Sequence, residues 1–409
     1  MLKTSKIRTS TISCLILAVG LVCSFNTIYI AQDFLRVYLI SAAMCFISIL
    51  FLFFRRAQYR FSKYRLILIL LILMLDYIYV ILRVRTLYGF LILGIAFPVF
   101  LLFTNANHYY IVMIFENLLI IATILAIISL IYWIGGSLLN ILQPMKLVNI
   151  TWGYSYKINK YSIFYFTPQY ANLYFMGRHI GVRNCSIFAE APMASSFYCI
   201  ALILNEFYIK KNPKIINTIF AITIISTLSV SGWIIVILFA VYKVMKCDIR
   251  SNIGKIFKLA FVLIAASISI GLVYSLISNK LATGSGIDRS YHIAMEWNSF
   301  LKNPLIGYGF NSYTDGSSNS MFSLMADGGL ILLTIYYLPV IGMIIIDIIY
   351  NKRINWFMIF FIFVFIISVI QYTFIIVFLT AFNWKLFIDK ISNKKTCKRE
   401  KVWGIRQIC

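Results

Sequence analysis

Two stretches of this chain concentrate the side chains able to handle an anionic leaving group. Residues 135–191 carry Arg178, His179, Arg183 and Glu190 among many aromatics, and residues 279–320 carry Arg289, His292 and Glu296. Guanidinium groups grip phosphates through paired, charge-assisted hydrogen bonds, so several together could neutralise a diphosphate as a bond to it breaks. A histidine or carboxylate beside them could position a hydroxyl and take its proton. Arg289, His292 and Glu296 are spaced i, i+3 and i+7. A helix over 287–302 therefore puts them on one stripe, with Tyr291, Ala294, Trp297 and Leu301 largely on the other side, against the bundle. That helix should stop at Asn303-Pro304, before the glycine-punctuated turn Gly307-Tyr308-Gly309. Pro192 suits the first position of the next helix after 191, which sets Arg183 and Glu190 at its rim. The plain alternatives are a solvated charged stripe and a surface ion pair. Aromatics such as Trp152, Tyr154, Tyr156, Tyr161 and Tyr165 make platforms for sugar rings, but aromatics also line membrane interfaces without any ligand.

The elements that must position these groups are membrane helices. The chain has 409 residues, 61% hydrophobic and 12% charged, more apolar surface than a soluble core can hide. Runs such as 66–82 and 111–134 can cross a bilayer as helices, and unbroken apolar runs exclude the alternating barrel pattern. The expectation is an all-α polytopic membrane protein with about twelve spans. They fall near 11–30, 36–54, 66–82, 87–103, 111–134, 192–209, 215–229, 232–246, 257–278, 321–350, 355–370 and 373–389. Residues 1–389 form one transmembrane domain, with outer loops 135–191 and 279–320, and 390–409 a basic cytoplasmic tail. The first span is read as retained, since no small-residue cleavage site follows it.

The net charge of +24 is spread in short clusters beside apolar runs, which sets orientation and argues against nucleic acid. With the N-terminus in the cytoplasm, 26 of the 37 lysines and arginines fall inside. Arg83 and Arg85 break that rule. Residues 215–246 and 354–389 must each cross twice, turning at Ser229-Val230-Ser231-Gly232 and at Gln371-Tyr372-Thr373. Asp76, Glu116 with Asn117, and Asp347 are polar groups within spans, costly in lipid but too scattered for a proton relay. The eight cysteines make no metal spacing or disulfide framework. No phosphate-binding glycine loop, nucleotide-sugar motif or zinc motif is present, so no cofactor or metal is expected.

On these residues the chain resembles the O-antigen polymerase and ligase family of bacterial polysaccharide assembly. Residues 183–194 are similar to that family's arginine, small residue, Phe, Glu-Pro pattern, with Ala191 inserted between Glu190 and Pro192. The stretch Gly284 to Arg289, then Trp297, then Asn303-Pro304-Leu305-Ile306-Gly307-Tyr308-Gly309, resembles the arginine-to-Asn-Pro-Leu-x-Gly-x-Gly signature. Ser318-Asn319, followed by Asp327-Gly328-Gly329, resembles a His-Asn to Glu-x-Gly entry into the tenth span; Ser318 stands where that family has its histidine.

The resemblance implies a metal-independent glycosyltransferase in the bacterial cytoplasmic membrane. Its donor would be an oligosaccharide on undecaprenyl diphosphate, and its acceptor hydroxyl would lie on another lipid-linked repeat at the outer face. Arg183 and Arg289 would hold the diphosphate with Arg178 behind them, and Trp152, Ser318 and Asn319 would contact substrate. Since Ser318 replaces the histidine, His292, Glu296 and Glu190 are the candidate bases. A chain-length regulator and a flippase would be partner proteins. Two other functions fit the same residues: a flippase or transporter of lipid-linked oligosaccharide, and a ligase moving finished glycan to a lipid or protein.

Overall fold

The computed structural model describes residues 2–55, 62–106, 108–152, 154–175, 178–247, 284–311 and 319–402, with isolated positions between 251 and 267. In chain order the helices are α1 (Leu2–Cys23), α2 (Ile28–Gln32), α3 (Phe34–Arg55), α4 (Lys63–Arg83), α5 (Leu87–Ala106) and α6 (His108–Leu138). After the strands come α7 (Ala191–Ile209), α8 (Pro213–Ser226), α9 (Val230–Lys246), α10 (Gly284–Lys302), α11 (Ser320–Asn351), α12 (Trp356–Ile367) and α13 (Phe374–Val402). Short π-helical turns lie within α5 and end α6 and α7.

Among the described residues, six helices are long and apolar enough to cross a membrane: α3, α4, α5, α6, α7 and α11. Shorter apolar helices are Ser10–Cys23, α8 and Trp356–Ile366. Outward residues such as Phe54, Ile81, Leu70 and Ile131 are exposed, a surface that lipid solvates and water does not. Edge-to-face aromatic pairs fill the interior, among them Phe115 with Phe382 (centroids 5.1 Å) and Phe100 with Phe378 (5.3 Å). The expected span 257–278 lies almost wholly outside the described residues.

Four features depart from the sequence expectation. The first apolar run is not one helix to residue 30: α1 ends at Cys23, because Asn26 takes a left-handed conformation (φ 48) and Thr27 bridges to Phe188. The last helix, α13, continues through 390 to Val402, so the membrane segment and the basic tail are not divided there. Pro192 is the second residue of its helix, not the first, since α7 begins at Ala191.

The largest departure is in 135–191, which holds five strands within an otherwise helical protein. Lys146–Trp152 (β1), Tyr154–Ser162 (β2) and Tyr165–Thr167 (β3) form an antiparallel sheet, and Tyr170–Phe175 (β4) pairs with Arg178–Val182 (β5). Register places Val148 opposite Ile158 and Ile150 opposite Tyr156, one face of the β1–β2 ribbon. That face packs with Phe166 and Ala189 on Ile28 and Ala31 of α2. Beside it, Leu139, Ile141, Met145 and Leu147 are all strongly exposed.

Two helix interruptions bring main-chain groups into the bundle. α11 is cut at Gly329 (φ 55, ψ −143), and α12 and α13 are separated by the non-helical stretch 368–373.

Candidate functional site

The first arm of the candidate site is built around Arg183. Its Nε donates to the Thr227 carbonyl at 3.0 Å, Nη2 to the Leu228 carbonyl at 3.2 Å and Nη1 to Gln169 Oε1 at 3.2 Å. The two carbonyls lie in the turn closing α8, where a helix leaves its last acceptors unpaired and a cation is favoured. Asn184 adds bonds to the Ser226 and Ser129 hydroxyls (2.8 and 3.3 Å). Arg183 thus staples the strand end to the α8–α9 turn.

Gln169 extends this arm, because the same Oε1 accepts the Ala191 N–H at 3.0 Å. It joins Arg183 to the start of α7. Glu190 holds the N-cap position of that helix, half-buried, and its Oε1 accepts Trp152 Nε1 at 2.7 Å. Trp152 therefore orients a carboxylate. Tyr165, Phe166 and Tyr161, expected as sugar platforms, are buried core of the strand region. Cys185 sits beside Arg183 as a buried thiol pushed up to about 12 by desolvation, which makes it a poor nucleophile.

The second arm joins α10 to the start of α11. The expected helix 287–302 is present within Gly284–Lys302, but its orientation reverses the expectation. Glu296 is 1% exposed and accepts the Ser323 hydroxyl at 2.9 Å, while Tyr291 and Leu301 are exposed and Trp297, also exposed, edges onto Phe322 of α11. Of the stripe, Glu296 turns to the protein. His292, one turn from Glu296, is half-buried. The Arg289 backbone lies on this helix and that of Arg178 begins β5; their side chains, and Ser318, are outside the described residues.

Asn319 caps α11. Its Oδ1 accepts the N–H groups of Met321 and Phe322, both at 3.0 Å, as the N-cap of α11.

The loop after α10 closes the cut in α11. Leu330 and Ile331 N–H groups, freed by the kink, donate to the Pro304 and Leu305 carbonyls at 2.8 and 3.2 Å. On the other side of the cut, Ala326 and Asp327 carbonyls accept from Tyr308 and Gly309 N–H at 2.9 Å each. The fit admits no side chain. A Cβ on Gly329 would meet the Pro304 oxygen at 2.4 Å, and one on Gly307 would meet the Asp327 carbonyl carbon at 2.4 Å. The two glycine motifs are halves of one joint.

Hydroxyls tie the arms together. Ser196 of α7 contacts Ser368; the Ser368 carbonyl accepts both the N–H and the hydroxyl of Ser320 (3.0 and 2.5 Å); Ser320 begins α11, whose Ser323 donates to Glu296 of α10. Asn26 contacts the Val369 carbonyl and Met193 (3.5 Å each) from the α1–α2 turn. The start of α7, the start of α11, the 368–371 stretch and Glu296 therefore meet at one end of the bundle.

Sequence reasoning missed Gln169, whose role depends on a strand pairing no local pattern announces. It marks Arg83 as an exception to the charge rule and gives it no role. The Nε of Arg83 is buried without a hydrogen-bond partner among the described residues, and its carbonyl accepts Phe310 N–H at 3.4 Å. The signal was present, since in the expected orientation Arg83 is a cation on the side where cations are disfavoured. Among the described residues no group of three or more His, Cys, Asp or Glu could hold a metal. Chemically, the arrangement offers a fixed half-exposed carboxylate and a buried one, with guanidinium-bearing segments around them. Comparisons with protein-family models, with curated proteins and with solved structures find no significant match.

Proposed function

We propose that this protein is a polysaccharide polymerase of the bacterial cytoplasmic membrane, with about twelve crossings and both large polar segments on the outer face. The donor is a glycan on undecaprenyl diphosphate and the acceptor another lipid-linked repeat. The acceptor hydroxyl attacks the anomeric carbon, the bond from that carbon to the diphosphate oxygen breaks, and the electron pair leaves with the undecaprenyl diphosphate. The hydroxyl proton passes to a base. The observation that carries the reading is the meeting of three distant polar segments, 183–196, 284–309 and 319–329, at one end of an apolar bundle.

The roles of Arg183, Glu190 and Glu296 are assigned from their bonds, those of the other arginines from the family resemblance. Arg289 and Arg178 are assigned to the diphosphate, where planar forks neutralise developing charge. Arg183 is a positioning residue, because its N–H groups already hold the 227–228 turn and Gln169. Glu190 is assigned as base: Trp152 fixes one oxygen and the residue is half-exposed, whereas Glu296 is buried against Ser323.

The test is the glycan ladder of a deletion strain complemented with variants. Glu190→Gln keeps an acceptor for Trp152, so it should leave protein levels unchanged and cut chain elongation roughly 100-fold. Single repeats should remain at the surface. Wild-type ladders from Glu190→Gln would remove it as the base, and wild-type ladders from the deletion itself would remove the polymerase reading. A flippase is the second reading, favoured by the two interrupted helices, a feature of transport proteins. Its loss would leave no repeats outside.

A further inference from the structure

The three-stranded sheet is pinned at one end to the last turns of α6. Tyr165 stacks on Tyr132 of that helix (ring centroids 5.9 Å), and its hydroxyl bonds the Ser137 hydroxyl at 2.9 Å. Tyr161 lies against Gly136, where a Cβ would meet its ring at 2.7 Å. Between helix and sheet the chain folds back on α6. Ile141 and Leu142 N–H groups both donate to the Gly135 carbonyl (2.8 and 2.9 Å), and Met145 N–H donates to the Lys160 carbonyl at 2.8 Å. α6 is long and apolar enough to cross a bilayer, so these bonds hold the sheet end at the boundary where that helix leaves the hydrocarbon.

At that end the exposed side chains are apolar. Ile141 is 71% exposed and Met145 74%, and Leu139, Leu147, Ile163 and Phe164 are exposed with them. They continue the exposed face of α6 that runs through Ile131, Ile134 and Leu138. A single exposed isoleucine needs no explanation, but a run this dense beside a helix of span length marks a contact surface.

Two lysines stand at the same strand end. Lys146 and Lys160 are directly opposed in the β1–β2 register, an arrangement in which like charges repel. The Lys160 ammonium lies over the Phe166 ring (5.7 Å), and among the described residues no carboxylate pairs with either lysine. None is near in sequence, since no Asp or Glu occurs from Asn117 to Ala189. Opposed cations with no acid between them are relieved by an anion from outside the chain. A phospholipid supplies both halves of the match, acyl chains for the apolar edge and a phosphodiester for the lysines. A second copy docking edge to edge would instead set lysine against lysine.

We propose that the edge formed by 139–147 and the 163–164 turn enters the lipid leaflet at this end of α6, and that Lys146 and Lys160 hold the phosphodiester of an anionic phospholipid. The proposal needs only that α6 spans, and it stands whether or not the protein is a polymerase. Anchored in this way, β1 keeps a fixed depth, and with it Trp152, which orients Glu190.

The experiment places one nitrobenzoxadiazole fluorophore on the full-length protein, through Ile141→Cys or, on the polar stretch of β2, Ser155→Cys. Cys23, Cys247, Cys397 and Cys409 are replaced by serine. The protein is reconstituted in phosphatidylcholine vesicles holding a lipid with an acyl-chain nitroxide, either phosphatidylcholine or, at equal mole fraction, phosphatidylglycerol. Nitroxide lipid should quench the label at 141 and leave that at 155 bright, and the phosphatidylglycerol form should quench about twice as strongly. With Lys146→Gln and Lys160→Gln together, the two lipids should quench alike and the phosphatidylcholine value should be kept. No nitroxide quenching at 141, or equal quenching at 155, overturns the insertion. A label at 141 that neither nitroxide lipid nor aqueous iodide reaches means that a second copy covers the edge, and overturns it too. Equal quenching by the two lipids before the lysines are changed overturns their role, whether or not the double variant folds. So does a preference that survives both substitutions.

Discussion

The two polar regions are held by opposite means. In the region ending at Ser196, side chains grip main chain: Arg183 and Gln169 span the strand end, the 227–228 turn and the start of α7. In the region 303–329, main chain grips main chain, four N–H to carbonyl bonds bridging a cut helix with glycine on both sides. A side-chain staple depends on the identity of one residue and can lengthen or let go. A main-chain joint ignores most side chains and fails wherever a Cβ is added. The first should weaken gradually on mutation, the second all at once.

The most severe break in this comparison is Gly329→Ala. An alanine at φ 55, ψ −143, a region kept almost wholly for glycine, costs about 1–3 kcal/mol, and the contact with Pro304 adds overpacking, so a loss of about 3 kcal/mol or more is expected. Loss of monodisperse protein on size-exclusion chromatography is the readout. Gly135→Ala is the control, because its Cβ meets only the side chain of Leu142, at 3.0 Å. Equal yields of the two would refute the joint.

Arg183→Lys should cost about 2 kcal/mol in thermal stability, since an ammonium cannot reach both carbonyls and Gln169 at once. A neutral result would show that the staple is dispensable. Asn319→Ala removes the α11 cap and should cost about 1 kcal/mol by the same measurement; a larger loss would mean the cap also supports the joint. The smallest effect is chemical. With its thiol raised to about 12 and its side chain buried, Cys185 should stay unlabelled by maleimide at pH 7 and gain reactivity only as pH climbs toward that value. Cys247 is exposed and should label at once; rapid labelling of Cys185 would mean the first arm opens in solution.

The helices were legible because apolar runs of span length have one solution in lipid. So was α10, within three residues at its start, through its periodicity and the Asn303-Pro304 stop. The glycine motifs were visible as motifs, yet their pairing was not, since residues 307 and 329 are joined only by the third dimension. The strands were missed although Val148, Ile150 and Trp152 alternate with polar residues, because aromatic richness was read as a membrane interface. The facing of α10 was not legible, because the partner of Glu296 is a serine on another helix. Glu296 lies inside because the Ser323 hydroxyl of α11 gives its carboxylate a partner there.

The exposed leucines, isoleucine and methionine of 139–147 carry a practical consequence. An excised fragment containing β1 to β5 would present that oily ledge to water and clump, so the sheet should be studied only while moored to its helices.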